Sequence, residues 1–446
     1  MVEAFLNCFK IPELKKRIGF TLLMIGIYRL GAFVPTPGIN ADALRRFFET
    51  QSGGVLGLLD LFSGGALNRF SIFALGIMPY ISASIIMQLL TTVIPTLEKL
   101  AKEGGEMGRK KITQYTRYAT VLLCAVQALG TTFMLKNLPA FEGQSIVMQW
   151  GIAFQIMTVL TLTAGTVFIM WMGEQMTERG IGNGMSLIIF AGIVSRLPME
   201  LGSMKSLWDA GTVSLFGIIL FATLMIVLVS FTTVIQQAHR KIPVQYAQRV
   251  IGRKVYGGQN THLPLKVDHS GVIAIIFASS VLMLPSMVAT LIQNIQSKSM
   301  WQSFLNFVVS SFSPGTFFYN ACYATLIVFF CYFYTAIIFN PVDVAENIKK
   351  YGGFIPGIRP GQATAQFIDH TLVRVTLGGA LGVALIAIIP DSFAKQMHLS
   401  WYFGGTTLLI VVGVALDTMK QLESHLLMRN YEGFMKSGKL KSRTGF

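Results

Sequence analysis

The sequence predicts an all-α polytopic membrane protein. Hydrophobic residues make up 52% of the 446 residues, whereas charged residues make up only 13%. Typical soluble domains carry roughly 25% charged residues, so this chain could not cover a water-exposed surface. Apolar runs of about 20 residues, the length that crosses a hydrocarbon core as a helix, recur along the whole chain. These observations exclude disordered, collagen-like and disulfide-stabilised classes and argue against a soluble enzyme.

Ten apolar runs are candidate transmembrane helices. They lie near residues 19–37, 72–95, 118–136, 151–173, 184–203, 214–236, 271–292, 316–339, 373–390 and 402–417. Of the 36 basic residues, 26 fall in the two terminal segments and in alternate loops, and seven fall in the opposite loops. Because basic residues collect on the cytoplasmic side, we expect both termini in the cytoplasm. The chain is therefore predicted to be a multi-pass protein of the cytoplasmic (inner) membrane, with a retained first span.

The stretch from Gly54 to Pro95 does not fit a simple span. Its charges are Asp60 and Arg69, and it is too long for one helix. The first part is short and rich in glycine, and irregular backbone is tolerated in a membrane only inside protein or beside water. We expect a re-entrant or half-helical piece followed by a full helix over 72–95. An external amphipathic loop is the alternative.

Ten spans also divide into five and five. An odd number of spans in each half gives the two halves opposite topology, which is the arrangement of an inverted repeat around a transport path. We expect an N-terminal half over 1–203, a C-terminal half over 214–420 and a cytoplasmic tail over 421–446. The cytoplasmic loops 237–268 and 341–371 lie in the second half.

Catalytic and metal-binding motifs are missing from the sequence. The four cysteines have no metal or redox spacing, and the glycine-rich string GIGNG (180–184) has neither the preceding strand nor the lysine of a phosphate loop. Ionisable residues inside the spans mark proton or ion coupling, and they are nearly absent. We therefore expect no enzyme activity, no metal and no cofactor. A secondary transporter of a small solute remains the alternative function.

Six strings of the sequence point together to one family. They are FSGGALNRFSIFALGIMPYISASIIMQLL (62–90), GEQMTERGIGNGMSLIIFAGIV (173–194), THLPLKV (261–267), FYTAIIFNP (333–341), GGFIPGIRPG (352–361) and YFGGTTLLIVV (402–412). These strings resemble the bacterial SecY family of protein-conducting translocation channels. The resemblance implies two five-helix halves around a central pore, with a ring of aliphatic side chains at its waist and a short plug half-helix in the outer funnel. It also implies a channel that passes unfolded secretory polypeptides across the membrane and releases signal or transmembrane segments sideways into the bilayer.

The resemblance also assigns residues and partners. The pore ring falls on Ile77, Ile81, Ile189, Ile276 and Ile410. The plug falls on residues 55–69, with Leu61, Phe62, Ser63, Gly64, Gly65, Ala66 and Leu67 at its centre. The implied partners are the SecE and SecG membrane subunits, the SecA motor ATPase, the ribosome, and the signal sequences and nascent polypeptides that pass through.

An aliphatic ring has a clear physical function in a pore. Ile77 and Ile81 are four residues apart and so share one face of a helix. A hydrophobic constriction sheds water and offers a passing polypeptide no hydrogen bond or charge. The alternative for each isoleucine is an ordinary position facing lipid.

Two further sets of residues have two interpretations each. Gln88 is a polar residue deep in an apolar helix, either bonding to a neighbouring helix or, by the resemblance, closing a lateral gate. The basic residues of the cytoplasmic loops serve topology alone or dock cytoplasmic partners. The docking candidates are Arg253, Lys254, Lys349, Lys350 and Arg359.

Overall fold

The computed structural model describes residues 11–50, 60, 63–136, 146–246, 249–251, 254–256, 261–293, 316–396 and 404–437. The chain divides into two compact units. The first unit comprises Met1–Pro198 and Val414–Phe446, and the second comprises Met199–Gly413. The predicted division into two related halves is not tested by this partition and stays a prediction.

The described residues of the first unit form helices joined by turns and short irregular segments. Its helices are α1 (Pro12–Gly31), α2 (Ala41–Thr50), α3 (Met78–Val93), α4 (Pro95–Lys102), α5 (Gly105–Lys136), α6 (Ile152–Arg179) and α7 (Gly184–Val194). Helix α8 (Leu197–Asp209) begins at the end of this unit and lies mainly in the second.

The second unit combines helices with a small sheet. Its remaining elements are α9 (Leu215–Gln237), β1 (His239–Tyr246), β2 (Arg249–Ile251), β3 (Lys254–Tyr256), β4 (Thr261–Lys266), α10 (Val272–Gln293), α11 (Phe317–Ile338), α12 (Pro341–Lys350), β5 (Gly353–Phe354), α13 (Gln362–Gln396) and the start of α14 (Gly405–Ser437). The C-terminal part of α14 belongs to the first unit.

Each predicted span coincides with helix. Seven helical segments of the described chain are long and apolar enough to cross a membrane, and the bent pair α3–α4 makes an eighth. The two other predicted spans fall on α1, which carries five charged residues, and on α10, whose apolar part is shorter over Val272–Leu282. The pattern of apolar runs therefore located ten helical regions, of which eight are long and apolar enough to span a membrane in the described chain.

The span predicted over 72–95 is shorter than expected at both ends. Residues 72–77 form turns, and α3 begins only at Met78. Gly76 has φ +55, a left-handed conformation that a right-handed helix cannot contain. At the other end the chain bends by 103° between α3 and α4. Pro95 at the start of α4 explains this bend, since proline interrupts a continuing helix and disfavours helical backbone in the preceding residue.

The loop predicted over 237–268 contains a sheet that the sequence reasoning missed. Strand β1 pairs antiparallel with β4, from His239 opposite Lys266 to Val244 opposite Thr261. Strand β5 pairs with the other edge of β1, and β2 and β3 form a separate two-stranded pair. Along β1 the side chains of Ile242 and Val244 are buried, while those of Lys241 and Pro243 are exposed. This alternation is the signal that predicts a strand.

Each unit has its own apolar core. In the first unit, Leu44 of α2, Ala128 of α5 and Leu162 of α6 pack with Phe70 and Ala74 from the turns before α3. In the second unit, the sheet packs on α12 and α13 through a cluster of apolar side chains. Its buried members are Ile242, Val244, Leu265, Ile348, Ile355, Ile368 and Leu372.

Large apolar side chains also cover the outer faces of the spanning helices. On α9, Phe216, Ile226 and Val234 are 74%, 69% and 63% exposed. A water-soluble surface rarely carries so continuous an apolar patch. These faces fit contact with lipid, where every backbone polar group is already bonded inside the helix.

Candidate functional site

Two of the predicted ring residues lie together at the start of α3. Ile77 is the residue before the first turn, and the backbone N–H of Ile81 donates to its carbonyl at 3.1 Å. Pro79 lies in this first turn, where its fixed φ and missing N–H are tolerated. Ile77 is 2% exposed and Ile81 is 7% exposed. The turns ending at Gly76 thus place both isoleucines on a buried face.

The third ring residue of the first unit lies on α7. Asn183 caps this helix, since its side-chain oxygen accepts from the backbone N–H of Met185 at 3.1 Å and Ser186 at 3.3 Å. The turn before the helix is tied by the N–H of Gly182, which donates to Oε1 of Gln421 at 2.9 Å. Ile189 is buried in the middle of α7. The GIGNG string is therefore a helix-capping turn, consistent with rejecting it as a phosphate loop.

The two ring residues of the second unit are also buried. Ile276 lies on α10 and is 6% exposed, and Ile410 lies on α14 and is fully buried. All five predicted isoleucines are thus shielded, which excludes the lipid-facing interpretation for each of them. Their assignment to one ring stays a prediction.

Among the described residues of the predicted plug, Asp60 is helical and residues 63–69 are not. Residues 63–69 form turns and bends. Gly64 and Gly65 have φ values of +67 and +85, which a right-handed helix excludes. The expected half-helix therefore does not extend through residues 63–69. Leu61 and Phe62 lie outside the described residues.

Asp60 organises these turns. Its carbonyl accepts from the N–H of Gly65 and from the hydroxyl of Ser63, both at 2.9 Å. Its side-chain Oδ1 accepts from the N–H of Asn68 at 2.9 Å. The Ser63 hydroxyl also accepts from the N–H of Leu67 at 3.2 Å. These hydrogen bonds satisfy backbone polar groups of residues 63–69, which do not form a helix.

Helix α1 holds the plug residues through its last turn. The hydroxyl of Tyr28 donates to the carbonyl of Ser63 at 3.1 Å, and Nη1 of Arg29 donates to the carbonyl of Gly64 at 2.9 Å. Ala66 and Leu67 are buried, and Leu67 joins the core of the first unit. The described residues of the predicted plug are therefore mostly packed in the protein interior, as the sequence argument against an external loop expected.

An ion pair joins Asp60 of the predicted plug to Arg196, two residues beyond the end of α7. Nη1 of Arg196 lies 2.8 Å from Oδ2 of Asp60, and the two side chains are 14% and 3% exposed. Sequence reasoning noted both charges separately and did not pair them. A lone acidic residue in a long apolar stretch requires a partner, and Arg196 at the end of the fifth predicted span was a candidate.

Gln88 lies half-buried on α3 and bonds within its own helix. Its side-chain amide donates to the hydroxyl of Ser84, one turn earlier, at 3.4 Å. Its carbonyl accepts from the hydroxyl of Thr91 at 2.7 Å. No bond to a neighbouring helix is seen for it in the part of the chain that the structure describes. The lateral-gate assignment stays a prediction.

The docking candidates of the second long loop are exposed to solvent. Lys349 and Lys350 form the exposed last turn of α12, and Arg359 is exposed in the loop that follows β5. The loop is anchored by Ile355, which is buried in the core of the second unit. The hydroxyl of Thr364 donates to the carbonyl of Arg359 at 2.9 Å. Of the other two candidates, Arg253 lies outside the described residues, and only the backbone of Lys254 is described, in β3.

Comparison with known proteins identifies the family. The family model described as SecY matches residues 71–419. The chain belongs to the SecY family. The protein translocase subunit SecY of Aquifex aeolicus is 46% identical over 98% of this chain and all of its own length. SecY-family membership confirms the predictions that the chain is a channel subunit and is not an enzyme.

Solved structures agree with the family in fold. A structure of a protein-conducting channel superposes with a TM-score of 0.64 at 15% identity, covering 93% of each chain. Sec61 in the canine ribosome-channel complex from the endoplasmic reticulum gives a TM-score of 0.60 at 13% identity, again covering 93% of each chain. The predicted fold class, an all-α polytopic membrane protein of the SecY type, is therefore confirmed.

Proposed function

We propose that this chain forms a channel for unfolded polypeptides, which either cross the cytoplasmic membrane or leave sideways into the bilayer. The observation that carries the proposal is SecY-family membership over nearly the whole chain, at 46% identity to a protein translocase subunit. The proposal adds no covalent chemistry, so direction must come from an external motor or from the ribosome.

We assign the waist of the channel to Ile77, Ile81, Ile189, Ile276 and Ile410. Their burial supports this assignment because none is available to lipid. Aliphatic side chains repel water and small ions but hold no passing side chain by hydrogen bonding. Such a constriction can widen around an extended polypeptide and close again without breaking specific bonds.

Sideways release follows from partition between the channel and lipid. Each Leu, Ile, Phe or Val at a helix centre favours the bilayer by about 0.3–0.6 kcal/mol. A signal sequence with several such residues gains free energy by leaving into lipid, whereas a polar segment gains none. We place the gate near Gln88, whose bond to Ser84 leaves a side chain that can exchange partners at low cost.

Cytoplasmic partners would meet the second long loop. With both termini in the cytoplasm, Lys349, Lys350 and Arg359 form an exposed basic surface on that side. We propose that this surface docks a SecA-type motor, and that Arg253 and Lys254 contact the ribosome through phosphates. SecE and SecG are the proposed membrane subunits, since the resemblance to SecY implies both.

A small-solute transporter is the rival function. It needs convergent polar groups at mid-membrane, whereas the predicted waist consists of five isoleucines. A plug-bearing SecY channel is among the matched solved structures, at a TM-score of 0.64, and favours the channel.

Site-directed crosslinking tests the channel. Single cysteines at Ile81 and Ile276 should crosslink to a secretory chain that is stalled during transport. Ile86→Cys is the matched control, because Ile86 lies on the same helix as Ile81 and is 42% exposed. It should give no crosslink to the stalled chain. If neither Ile81 nor Ile276 contacts the stalled chain, the assignment of the waist is wrong.

A further inference from the structure

The contacts of the plug with α1 and α7 differ in kind. Tyr28 and Arg29 bind backbone carbonyls of the plug, so any residue at Ser63 or Gly64 would offer them an acceptor. Asp60 and Arg196 instead join two charged side chains that are 136 residues apart in sequence. Of the polar contacts described between these residues and the two helices, this one depends on which side chain the plug carries.

Both carboxylate oxygens of Asp60 have a bonding partner. Oδ2 meets Arg196 at 2.8 Å and Oδ1 accepts from the N–H of Asn68 at 2.9 Å. With its side chain 3% exposed, Asp60 has almost no contact with solvent. Separating a buried pair leaves an unpaired charge in a poor solvent, which is strongly unfavourable. Movement of the plug away from α7 must therefore expose both charges to water or to other partners.

The strength of this pair depends on how dry its surroundings are. The attraction between two unit charges falls about fourfold when the effective dielectric constant rises from about 20 near a protein surface to about 80 in water. The pair is strong while the plug is packed and weak once water enters. Such a contact opens cooperatively, because the first hydration of the pair weakens what holds the plug in place.

We propose that the Asp60–Arg196 ion pair is a latch that holds the plug against the end of α7 in the resting channel and separates when the plug moves. This inference rests on the proposed channel function. The Arg29 and Tyr28 bonds guide the plug back, and the ion pair decides how often it leaves without a polypeptide. The latch therefore sets the resting leak of the channel.

Resting ion conductance of the reconstituted protein, measured with its co-purifying membrane subunits and no substrate, tests the latch. Arg196→Gln and Asp60→Asn should each raise this conductance by about tenfold or more, which corresponds to about 1.4 kcal/mol in favour of the open plug. The double variant should leak no more than the worse single variant, because both changes remove the same interaction.

Arg117→Gln is the matched control. It breaks an ion pair with Glu174 of the same 2.8 Å length, far along the sequence from the plug, and should leave the conductance unchanged.

A charge-conserving variant separates loss of the latch from loss of the fold. The contact uses a single guanidinium nitrogen of Arg196, so Arg196→Lys should keep most of it and leak less than Arg196→Gln. Equal leak from these two variants, wild-type conductance in Arg196→Gln, or multiplied effects in the double variant would each overturn the latch. Preprotein transport by the wild type, measured in the same vesicles, tests the channel separately. Transport with unchanged variant conductance refutes the latch alone, and absent transport refutes the proposed function.

Discussion

Gly64 of the predicted plug and Gly192 of α7 approach each other so closely that a side chain at Gly64 has no room and one at Gly192 would be crowded. A Cβ atom on Gly64 would lie 2.7 Å from the Cα of Gly192, and one on Gly192 would lie 3.3 Å from the Cα of Gly64. Backbone packs directly on backbone here, one helical turn before Arg196. This close approach lets the Asp60–Arg196 pair form at 2.8 Å.

Gly64→Ala should therefore displace the plug. Its φ of +67 already disfavours alanine, and the added Cβ meets backbone that cannot move aside. Strain of this kind costs about 1–3 kcal/mol, and overpacking adds about as much again. We expect a lower temperature of thermal unfolding in detergent and a higher resting conductance in vesicles.

Gly65→Ala is the control for Gly64→Ala. Gly65 has a similar φ of +85, but a Cβ there meets nothing within 4 Å. It should carry the backbone strain without the clash and so show the smaller loss of stability and little added conductance. Equal effects at the two glycines would mean that the approach to Gly192 does not position the plug.

Gly31→Ala should destabilise the first unit. Gly31 ends α1, and a Cβ there would overlap the ring of Phe73, which is itself buried. Overpacking a well-packed core costs about 1–3 kcal/mol. Thermal unfolding in detergent should show the loss of stability.

Gly26→Ala on the same helix is the control, because a Cβ at Gly26 meets nothing within 4 Å. This variant should be neutral or stabilising by up to about 1 kcal/mol, because alanine favours helix over glycine. A stable Gly31→Ala protein would contradict the packing described here.

Arg359→Glu should impair transport that depends on a SecA-type motor. The residue is exposed between Gly357 and Gly361, which both have positive φ and shape the loop. The proposed partner binds the positive charge of Arg359, and the variant presents a negative charge instead. An unfavourable charge contact at an interface is costly. We therefore expect transport in proteoliposomes to fall by at least about tenfold.

Lys205→Glu is the control for Arg359→Glu. Lys205 is also exposed and carries the same charge, but the predicted topology places it on the opposite side of the membrane. It should transport as well as the wild type, and the thermal stability of both variants should stay near the wild-type value. Unchanged transport in Arg359→Glu would remove this residue from the docking surface.

Several features of the fold followed from sequence alone. The membrane class and the positions of the ten spans depend on the local density of apolar residues, which any 20-residue window contains. The burial of the described residues in the predicted plug followed from the rule that irregular backbone must be shielded from lipid. The ring and plug positions required the resemblance to the SecY family, because a lone isoleucine in an apolar helix has no distinguishing pattern.

Tertiary structure alone decided how the predicted plug is held. Asp60 and Arg196 are each isolated charges in the sequence, and only the packing of the plug against α7 brings them within 2.8 Å. The same holds for Gly64 and Gly192, and for the sheet formed by β4, β1 and β5. The physical reason is the sequence separation of the residues involved. Apolar periodicity is a pattern among neighbouring residues, whereas an ion pair between distant residues depends on how the whole chain between them folds.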